Sequence, residues 1–291
     1  MTKTELLNKL TEELAGSNER TTKQFASIIS QFYTSSGGIF TRRAVVNYIT
    51  KMAQKGYAPG TNRLHFRVLK RAFEIAAKID PTIEWPFSKR APAEIDTALA
   101  DIPWQENKIA FSSDDVKQLI DAVKEGKLSG VGEGKLGGVA NALVALSTTY
   151  GLRRIEMADL DSDSLNLKTK RLRVLTKHGS RLREHIIPDE IIPYLKDYRP
   201  LRSEFKLSEV FHDIERASGV PERYGTGWHS IRRSVVNALV NTGLDKLYIY
   251  SYMRWKLSMS FGMLGTYFSV PDLEVDEAVQ KLLPYLKFWE S

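Results

Sequence analysis

A proline-rich stretch divides this chain into two parts, and no other sequence feature constrains its fold as strongly. Residues 80–104 contain four prolines, at positions 81, 86, 92 and 103, which prevent a continuous helix from running through the stretch. A chain of 291 residues is also too long for one small hydrophobic core. We therefore expect an N-terminal helical domain at residues 1–90, a linker at residues 91–108 and a second domain at residues 109–291.

Hydrophobic periodicity predicts that both domains are mostly helical. Between Thr61 and Ile79, apolar residues recur at steps of three and four, which predicts a helix with one buried face. The apolar run from Val139 to Tyr150 predicts a buried helix that ends at Gly151. Residues 165–187 instead place strand-forming residues on both sides of a Gly-containing turn. The expected fold class is mainly α, with a small antiparallel β-sheet in the second domain.

Positive charge is concentrated in the first domain. The chain has a formal net charge of +7, and ten basic residues but no acidic one lie between Arg20 and Phe73. A solvated helix face normally mixes charges of both signs, so this run indicates contact with nucleic acid phosphates. The residues that we expect to contact DNA are Arg42, Arg43, Arg63, Arg67, Lys70 and Arg71, together with Arg173 and Arg181 of the predicted sheet.

The residue types that are missing exclude several kinds of site. The chain has no cysteine, which excludes a disulfide framework, a thiolate nucleophile and a Cys-ligated zinc. Its five histidines show no metal-ligand spacing, so we expect neither a metal nor a cofactor. No run of about 18 apolar residues occurs, and the N-terminus does not resemble a signal peptide. We expect a soluble, intracellular protein without a membrane partner.

Four residues of the second domain have side chains that can together attack a phosphodiester without a metal. They are Arg153, His229, Arg232 and Tyr267. Two guanidiniums can hold the non-bridging oxygens and neutralise the charge that develops at a pentacoordinate phosphorus. An imidazole can move a proton, and a phenol can be the nucleophile. Each residue alone is a weak signal, but the set in a basic chain favours covalent DNA chemistry.

The order and spacing of these residues resemble the tyrosine recombinase (phage integrase) superfamily over most of residues 111–270. Residues 150–156, Tyr-Gly-Leu-Arg-Arg-Ile-Glu, are similar to the family pattern Thr-Gly-Leu-Arg-x-x-Glu. The resemblance implies that Arg153 is the first catalytic arginine and that Glu156 fixes its side chain; Arg154 leaves the register open by one residue. Residues 229–232, His-Ser-Ile-Arg, resemble the His-x-Leu-Arg box, where His229 handles the tyrosine proton and Arg232 makes the second phosphate contact.

The resemblance implies three further catalytic residues. Lys177, in the turn of the predicted hairpin, resembles the family lysine that protonates the leaving 5′ oxygen, with Lys170 as the alternative. Trp255 lies where many relatives have histidine; its N–H can donate to a phosphate oxygen, and core packing is its alternative role. Tyr267 resembles the nucleophile, although it follows Trp255 by twelve residues rather than about nine. The competing tyrosines are Tyr248, Tyr250 and Tyr252.

The resemblance also implies a fold and an activity. The fold is an N-terminal helical core-binding (SAM-like) domain followed by a mostly helical catalytic domain, with DNA clamped between them. The activity is that of a site-specific DNA recombinase or integrase, which works without a metal through a 3′-phosphotyrosyl intermediate at double-stranded attachment sites. The alternatives are a type IB topoisomerase-like nicking enzyme and a site-specific DNA-binding protein without catalysis.

Partners and setting follow from the same resemblance. Residues 272–289 read as an amphipathic C-terminal helix, which either folds back on its own domain or docks onto a neighbouring protomer. We expect a homo-oligomer, a tetramer on DNA, that assembles through this helix. The expected setting is the cytoplasm and nucleoid of a prokaryotic host, with the gene carried by a virus, plasmid or other mobile genetic element.

Overall fold

The computed structural model describes residues 1–17, 19–87, 93–99, 109–176, 182–223, 225–255 and 270–290. The chain divides into two compact units, Met1–Glu106 and Asn107–Ser291. Within the described ranges, no helix is both long enough and apolar enough to cross a membrane.

Local sequence signals set the starts of the helices in the first unit. Thr2 and Glu5 form a capping box, in which each side chain accepts a hydrogen bond from the backbone N–H of the other residue. Thr41 caps the third helix by accepting from the backbone N–H of Ala44, and Pro59 occupies the first turn of the fourth. The helices are α1 (Lys3–Glu13), α2 (Glu19–Ser36), α3 (Arg42–Gln54), α4 (Pro59–Ile79) and α5 (Ala93–Leu99).

Helix α4 packs against the four other helices and carries much of the core of this unit. Val68 and Ile75 pack in one cluster with apolar residues of α1 and α2. Leu69 and Phe73 pack in a second cluster with apolar residues of α3 and α5. The helix predicted for residues 61–79, with its buried face, is confirmed.

Helix α5 lies inside the segment that we predicted as a linker, and it packs on the first unit. Ile95 and Leu99, four residues apart, are buried against α3 and α4. Asn62 donates a hydrogen bond to the carbonyl of Ala98 at 3.0 Å, and Arg63 donates to that of Leu99 at 2.9 Å. The first unit therefore extends beyond residue 90.

The second unit combines helices with a three-stranded antiparallel sheet of order β1-β2-β3. Leu172 pairs with His185, and Val174 pairs with Arg183, and all four side chains are buried. The predicted fold class, mainly α with a small antiparallel sheet, is confirmed. The elements are α6 (Ser113–Lys124), α7 (Gly137–Tyr150), α8 (Arg154–Asp159), β1 (Leu165–Asn166), β2 (Arg171–Leu175), β3 (Leu182–Ile186), α9 (Ile192–Leu195), α10 (Glu204–Ser218), α11 (Trp228–Asn241), α12 (Lys246–Tyr252), α13 (Asp272–Leu282) and α14 (Leu286–Trp289).

Helix α7 is the most buried helix of this unit because its sequence is apolar on every face. Every residue from Ala142 to Tyr150 is buried, and the helix packs against α6, α9 and α11. It ends at Gly151, whose φ of +54° is a left-handed conformation that favours glycine. A Cβ at this position would lie 2.7 Å from the Met253 Cε, so the methionine side chain would have to shift, and the left-handed φ would still be strained.

The predicted C-terminal helix is divided into two helices. Helix α13 ends at Leu282, and Pro284 separates it from α14. Val275, Asp276 and Val279 bury one face of α13 against β3 and α12 of the same chain. In this structure the helix is therefore docked in cis.

Candidate active site

The turn between α7 and α8 places a buried carboxylate at the centre of the site. Arg153 is the N-cap residue of α8, and Glu156 is the third residue of that helix. The Glu156 carboxylate accepts a hydrogen bond from the Arg153 backbone N–H at 2.8 Å and one from Arg153 Nη1 at 2.5 Å. The side chain of Glu156 is 0% exposed, so its charge has to be compensated by cations within the protein.

Two more guanidiniums approach this carboxylate from distant parts of the sequence. Arg254, which follows α12, donates to Glu156 Oε2 from Nη2 at 3.1 Å and from Nε at 3.3 Å. Arg232, on α11, brings Nη1 to 3.9 Å from the same oxygen. Three arginines from three separate segments, with Arg153 as the third, thus surround one carboxylate.

Backbone carbonyls and an aromatic ring hold Arg232 in place. Its Nη1 donates to the carbonyl of Gly151, and its Nη2 donates to that of Met253, each at 2.5 Å. The guanidinium lies 5.6 Å from the centroid of the Trp255 ring, a cation–π contact. Trp255 is half-buried, and its other neighbour is Tyr250, at 4.7 Å between ring centroids. The indole therefore supports the guanidinium of Arg232.

Arg153 is the most solvent-accessible of the three arginines. Its side chain is 18% exposed, compared with 3% for Arg232 and 0% for Arg254. Among the described residues, only its Nη1 has a side-chain partner, and its Nε and Nη2 have none. These remaining N–H groups can donate to an anion that arrives from solvent.

The electrostatics of the cluster favour binding of an anion. Burial alone would raise the pKa of Glu156, but attraction by Arg254, Arg232 and Arg153 outweighs burial and lowers that pKa to about 2. Burial, together with repulsion from the other two arginines, lowers the pKa of Arg232 well below its usual range. One carboxylate therefore does not balance the three guanidiniums, and a bound phosphate would reduce the excess of positive charge. Within the described ranges, no three His, Asp or Glu side chains come together as metal ligands.

His229 lies at the start of α11, one turn before Arg232. Partial burial lowers its pKa, and repulsion from Arg233, Arg232 and Arg153 lowers it further, to about 4. The residue keeps access to solvent, and the guanidiniums around it disfavour the charged form of the imidazole. At neutral pH the imidazole is uncharged and can accept a proton.

The register ambiguity at the first arginine is resolved by the side-chain directions. Arg154 is directed to the surface, where its Nε donates to Glu204 at 3.0 Å and its Nη1 donates to Ser208 at 2.8 Å. Both partners lie on α10, away from the central carboxylate. Arg153 is the residue of this pair that joins the cluster.

Lys177 and Arg181 lie outside the described residues, so their roles stay predictions. The alternative to Lys177 has a partner elsewhere: Lys170, in the turn between β1 and β2, forms an ion pair with Asp189 at 2.6 Å. This pair directs the Lys170 ammonium toward the segment that follows β3.

Tyr267 also lies outside the described residues, and its role as nucleophile stays a prediction. Among its competitors, Tyr252 is fully buried and donates its hydroxyl to the carbonyl of Thr149 at 3.1 Å. Burial raises the pKa of Tyr252 well above its usual range, which disfavours the phenolate form. Tyr250 packs edge-on against Trp255.

One of the α4 residues predicted to contact DNA, Arg71, is neutralised by acidic residues that lie outside residues 20–73. Arg71 donates to Glu74 at 2.9 Å and to Glu13, on α1, at 3.2 Å. Lys78 shares Glu13 through a contact of 2.6 Å. Arg71 is therefore compensated by an α1 carboxylate that the fold brings to it, and its contact with DNA stays a prediction.

The other predicted DNA-contacting residues differ in their surroundings. Arg63 donates to the Leu99 carbonyl, and the Arg42 guanidinium lies 5.2 Å from the centroid of the Phe87 ring. On the sheet, Arg173 donates to Glu184 at 3.3 Å. The predicted residues of the first unit with exposed side chains are Arg42, Arg43, Arg67 and Lys70.

Sequence reasoning missed a buried polar network beside the cluster. His185 places its Nε2 at 2.9 Å from Arg254 Nη1 and its Nδ1 at 3.0 Å from Asp276 Oδ1. Arg183 is also fully buried, and its Nη2 donates to Asp276 at 2.9 Å. A signal was present, because Arg183 and His185 share the face of β3 that pairs with buried Leu172 and Val174, where polar residues need internal partners.

Comparison with solved structures identifies the fold, whereas the sequence comparisons find no match. No protein-family model matches the sequence, and no curated protein gives a significant match. A structure of the Tn1549 transposon integrase in complex with transposon right end DNA is 15% identical, with a TM-score of 0.65 over 97% of this chain and 99% of that one. A lambda integrase dimer bound to a COC′ core site is 14% identical, with a TM-score of 0.63 over 93% and 99%. The chain therefore has the tyrosine recombinase fold that the resemblance implied.

Proposed function

We propose that this protein is a site-specific DNA recombinase that cleaves and rejoins strands through a 3′-phosphotyrosyl intermediate. One observation carries the proposal: Arg153 and Arg232 converge on Glu156 and leave an excess of positive charge beside His229. The fold supports it, since the two integrase structures of the same fold were solved in complex with DNA.

The guanidiniums stabilise the charge that develops on the phosphate. Arg153 and Arg232 hold the two non-bridging oxygens, and their attraction grows as the phosphorus becomes pentacoordinate and gains negative charge. Because carbonyls and Trp255 already fix Arg232, little reorganisation is needed during the reaction. The indole N–H of Trp255 supplies a further donor to the phosphate.

Proton transfer accompanies the exchange of one phosphoester bond for another. Tyr267 attacks the phosphorus, and its phenolic proton passes to the neutral imidazole of His229. The bond to the 5′ oxygen breaks, Lys177 protonates that oxygen, and a 3′-phosphotyrosyl bond and a free 5′ hydroxyl remain. The 5′ hydroxyl of another strand then attacks the phosphotyrosine and releases the Tyr267 phenol. The bond formed resembles the bond broken, so the exchange needs no external energy source.

The partner in this proposal is double-stranded DNA at a specific site. Exposed cations of the first unit, including Arg43, Arg67 and Lys70, contact phosphates and position the catalytic unit. Strand exchange between two duplexes requires several protomers, and we propose a tetramer on DNA. Helix α13, docked in cis here, would be exchanged between protomers in that assembly.

A covalent adduct with nicked DNA tests the proposal directly. We expect the purified protein to become linked to members of a randomised library of nicked duplexes, because loss of the short fragment past the nick traps the 3′-phosphotyrosyl bond. We expect the same yield in excess EDTA, since guanidiniums rather than a metal neutralise the phosphate. Denaturing gels detect the adduct, and sequencing of the trapped DNA identifies the site.

Three outcomes of this assay would change the proposal. Strict dependence of the covalent step on magnesium would contradict the mechanism. Specific binding without any adduct would favour a DNA-binding protein without catalysis. Adduct formation with relaxation of supercoiled plasmids, but without joining of two sites, would favour a type IB topoisomerase-like enzyme.

The proposed DNA surface predicts a change in the salt dependence of binding. Arg67→Ala with Lys70→Ala should flatten the log–log plot of affinity against salt by about two units, provided that each cation meets one phosphate. Filter binding or fluorescence anisotropy of the full chain at several salt concentrations measures this slope.

The matched control removes two cations from the same helix that are paired with carboxylates. Arg71→Ala with Lys78→Ala deletes the same charge, but both residues already contact Glu13. We expect the slope of this control to stay near that of the wild type. Equal flattening by both pairs would show that net charge, rather than this surface, governs binding.

A further inference from the structure

A fully buried arginine occupies a backbone conformation that favours glycine. Arg254 has a φ of +56°, in the left-handed region, and its side chain is 0% exposed. Both features are unfavourable for a long charged residue unless its surroundings compensate for them. The contacts of its guanidinium supply that compensation.

The Arg254 guanidinium is saturated with hydrogen bonds. Its Nε and Nη2 donate to Glu156 Oε2. Nη1 donates to the carbonyl of Tyr252 at 2.9 Å and to His185 Nε2 at 2.9 Å, and Nη2 also donates to the carbonyl of Tyr150 at 3.0 Å. An arginine has five N–H groups, so none is left for a phosphate. Arg254 therefore acts through other residues.

Both proposed catalytic arginines share an acceptor with Arg254. Arg254 occupies Glu156 Oε2, which leaves Oε1 to Arg153. Its Nη2 also lies 3.4 Å from the carbonyl oxygen of Gly151, the atom to which Arg232 donates. Removing Arg254 would leave Glu156 Oε2 with the Arg153 backbone N–H but without its two guanidinium donors, and it would loosen the carbonyl that orients Arg232.

We propose that Arg254 is a positioning residue for strand cleavage, which holds Arg153 and Arg232 in place through Glu156 and the Gly151 carbonyl. This inference rests on the proposed function for its catalytic consequence. The geometry of the arginine cluster can be tested without cleavage.

The C-terminal helix in turn fixes Arg254. Because Arg254 donates to Nε2 of His185, the imidazole carries its proton on Nδ1 and donates it to Asp276, on α13. Burial lowers the pKa of His185, which agrees with a neutral ring. Asp276 also accepts from Arg183 Nη2 and from the Ile186 backbone N–H at 2.7 Å. A continuous chain of hydrogen bonds thus runs from α13 through β3 to the arginine cluster.

After burial, the largest cause, the pKa of His229 depends on nearby charges that include the two catalytic arginines. The charged groups that face it are Arg233, Arg232, Arg153 and Glu156, and Arg254 is not among them. In Arg254→Met we expect this pKa to rise from about 4 toward the ordinary value of 6.5, because Arg153 and Arg232 move away. Proton NMR of the imidazole rings measures it, and the spectrum of His229→Gln assigns the signal. An unchanged pKa would overturn the proposal.

Two further variants separate positioning from general destabilisation. Arg223→Met removes an arginine that pairs with Asp115 and that contacts neither Glu156 nor Asp276 among the described residues. We expect the pKa of His229 to stay at about 4 in this control. Arg254→Lys keeps a buried positive charge but removes the guanidinium donors. It replaces Arg254→Met in the measurement if the Met variant does not fold. A folded Lys variant with the wild-type pKa and the wild-type cleavage rate would show that those donors are not needed, and would overturn the proposal.

Single-turnover cleavage of the trapped DNA tests the catalytic consequence. We expect Arg254→Met to cleave about a hundredfold more slowly at saturating protein, with its DNA affinity within about twofold of the wild type. In the Arg223→Met control, the cleavage rate should fall only in proportion to any loss of folded protein. Wild-type cleavage by Arg254→Met would overturn this inference and leave the proposed function intact. If the wild type forms no adduct with any DNA, the proposed function fails, and the pKa of His229 still decides whether Arg254 positions the arginines.

Discussion

Tyr267→Phe should abolish the covalent linkage of this protein to DNA while leaving DNA binding almost unchanged. The substitution removes only the phenolic oxygen, which is the atom that attacks phosphorus in the proposed mechanism. Incubation with the nicked duplex followed by a denaturing gel measures the adduct, and a gel shift measures affinity.

Two other tyrosines near the cluster provide matched controls. Tyr252→Phe deletes a hydroxyl that is bonded to the Thr149 carbonyl, and Tyr250→Phe keeps the ring that packs on Trp255. We expect both variants to form the adduct. If Tyr267→Phe still formed the adduct and one of these two variants did not, the tyrosine replaced in that variant would be the nucleophile.

Arg153→Ala and Arg232→Ala should each slow cleavage by at least about a hundredfold, the scale of losing one preorganised donor at an oxyanion. Both guanidiniums stabilise the negative charge that develops on the phosphate in the transition state, so their removal should mainly lower the cleavage rate. DNA affinity should fall far less, because many phosphate contacts remain. Single-turnover kinetics and equilibrium binding separate the two effects.

Two arginines outside the cluster serve as controls for these variants. Arg154→Ala removes the adjacent cation, which pairs with Glu204 at the surface, and Arg223→Ala removes one that pairs with Asp115. We expect near-normal cleavage from both. Because removing one partner of a buried ion pair costs about 3–5 kcal/mol, Arg232→Lys should accompany Arg232→Ala. A loss confined to affinity would make Arg153 and Arg232 DNA-binding rather than catalytic residues.

Local signals made much of the fold predictable. The helix over residues 61–79 and the helix that ends at Gly151 follow from apolar spacing and a terminal glycine, which act within a few turns of chain. The paired strands followed from strand-forming residues on both sides of one turn. The attachment of helix α5 to the first unit was harder to predict, because only two apolar residues four apart bury it there.

The amino-acid sequence alone was enough to predict the two-part division, the mainly-α class and the candidate residues Arg153, Glu156, His229 and Arg232. Which cations are compensated depends on the folded structure. Glu13 reaches Arg71 from another helix, Arg154 is directed to the surface, and Arg254 is buried beneath the cluster. The physical reason is that charge compensation and burial depend on distances between residues far apart in the chain, whereas spacing along the chain reports only on neighbours.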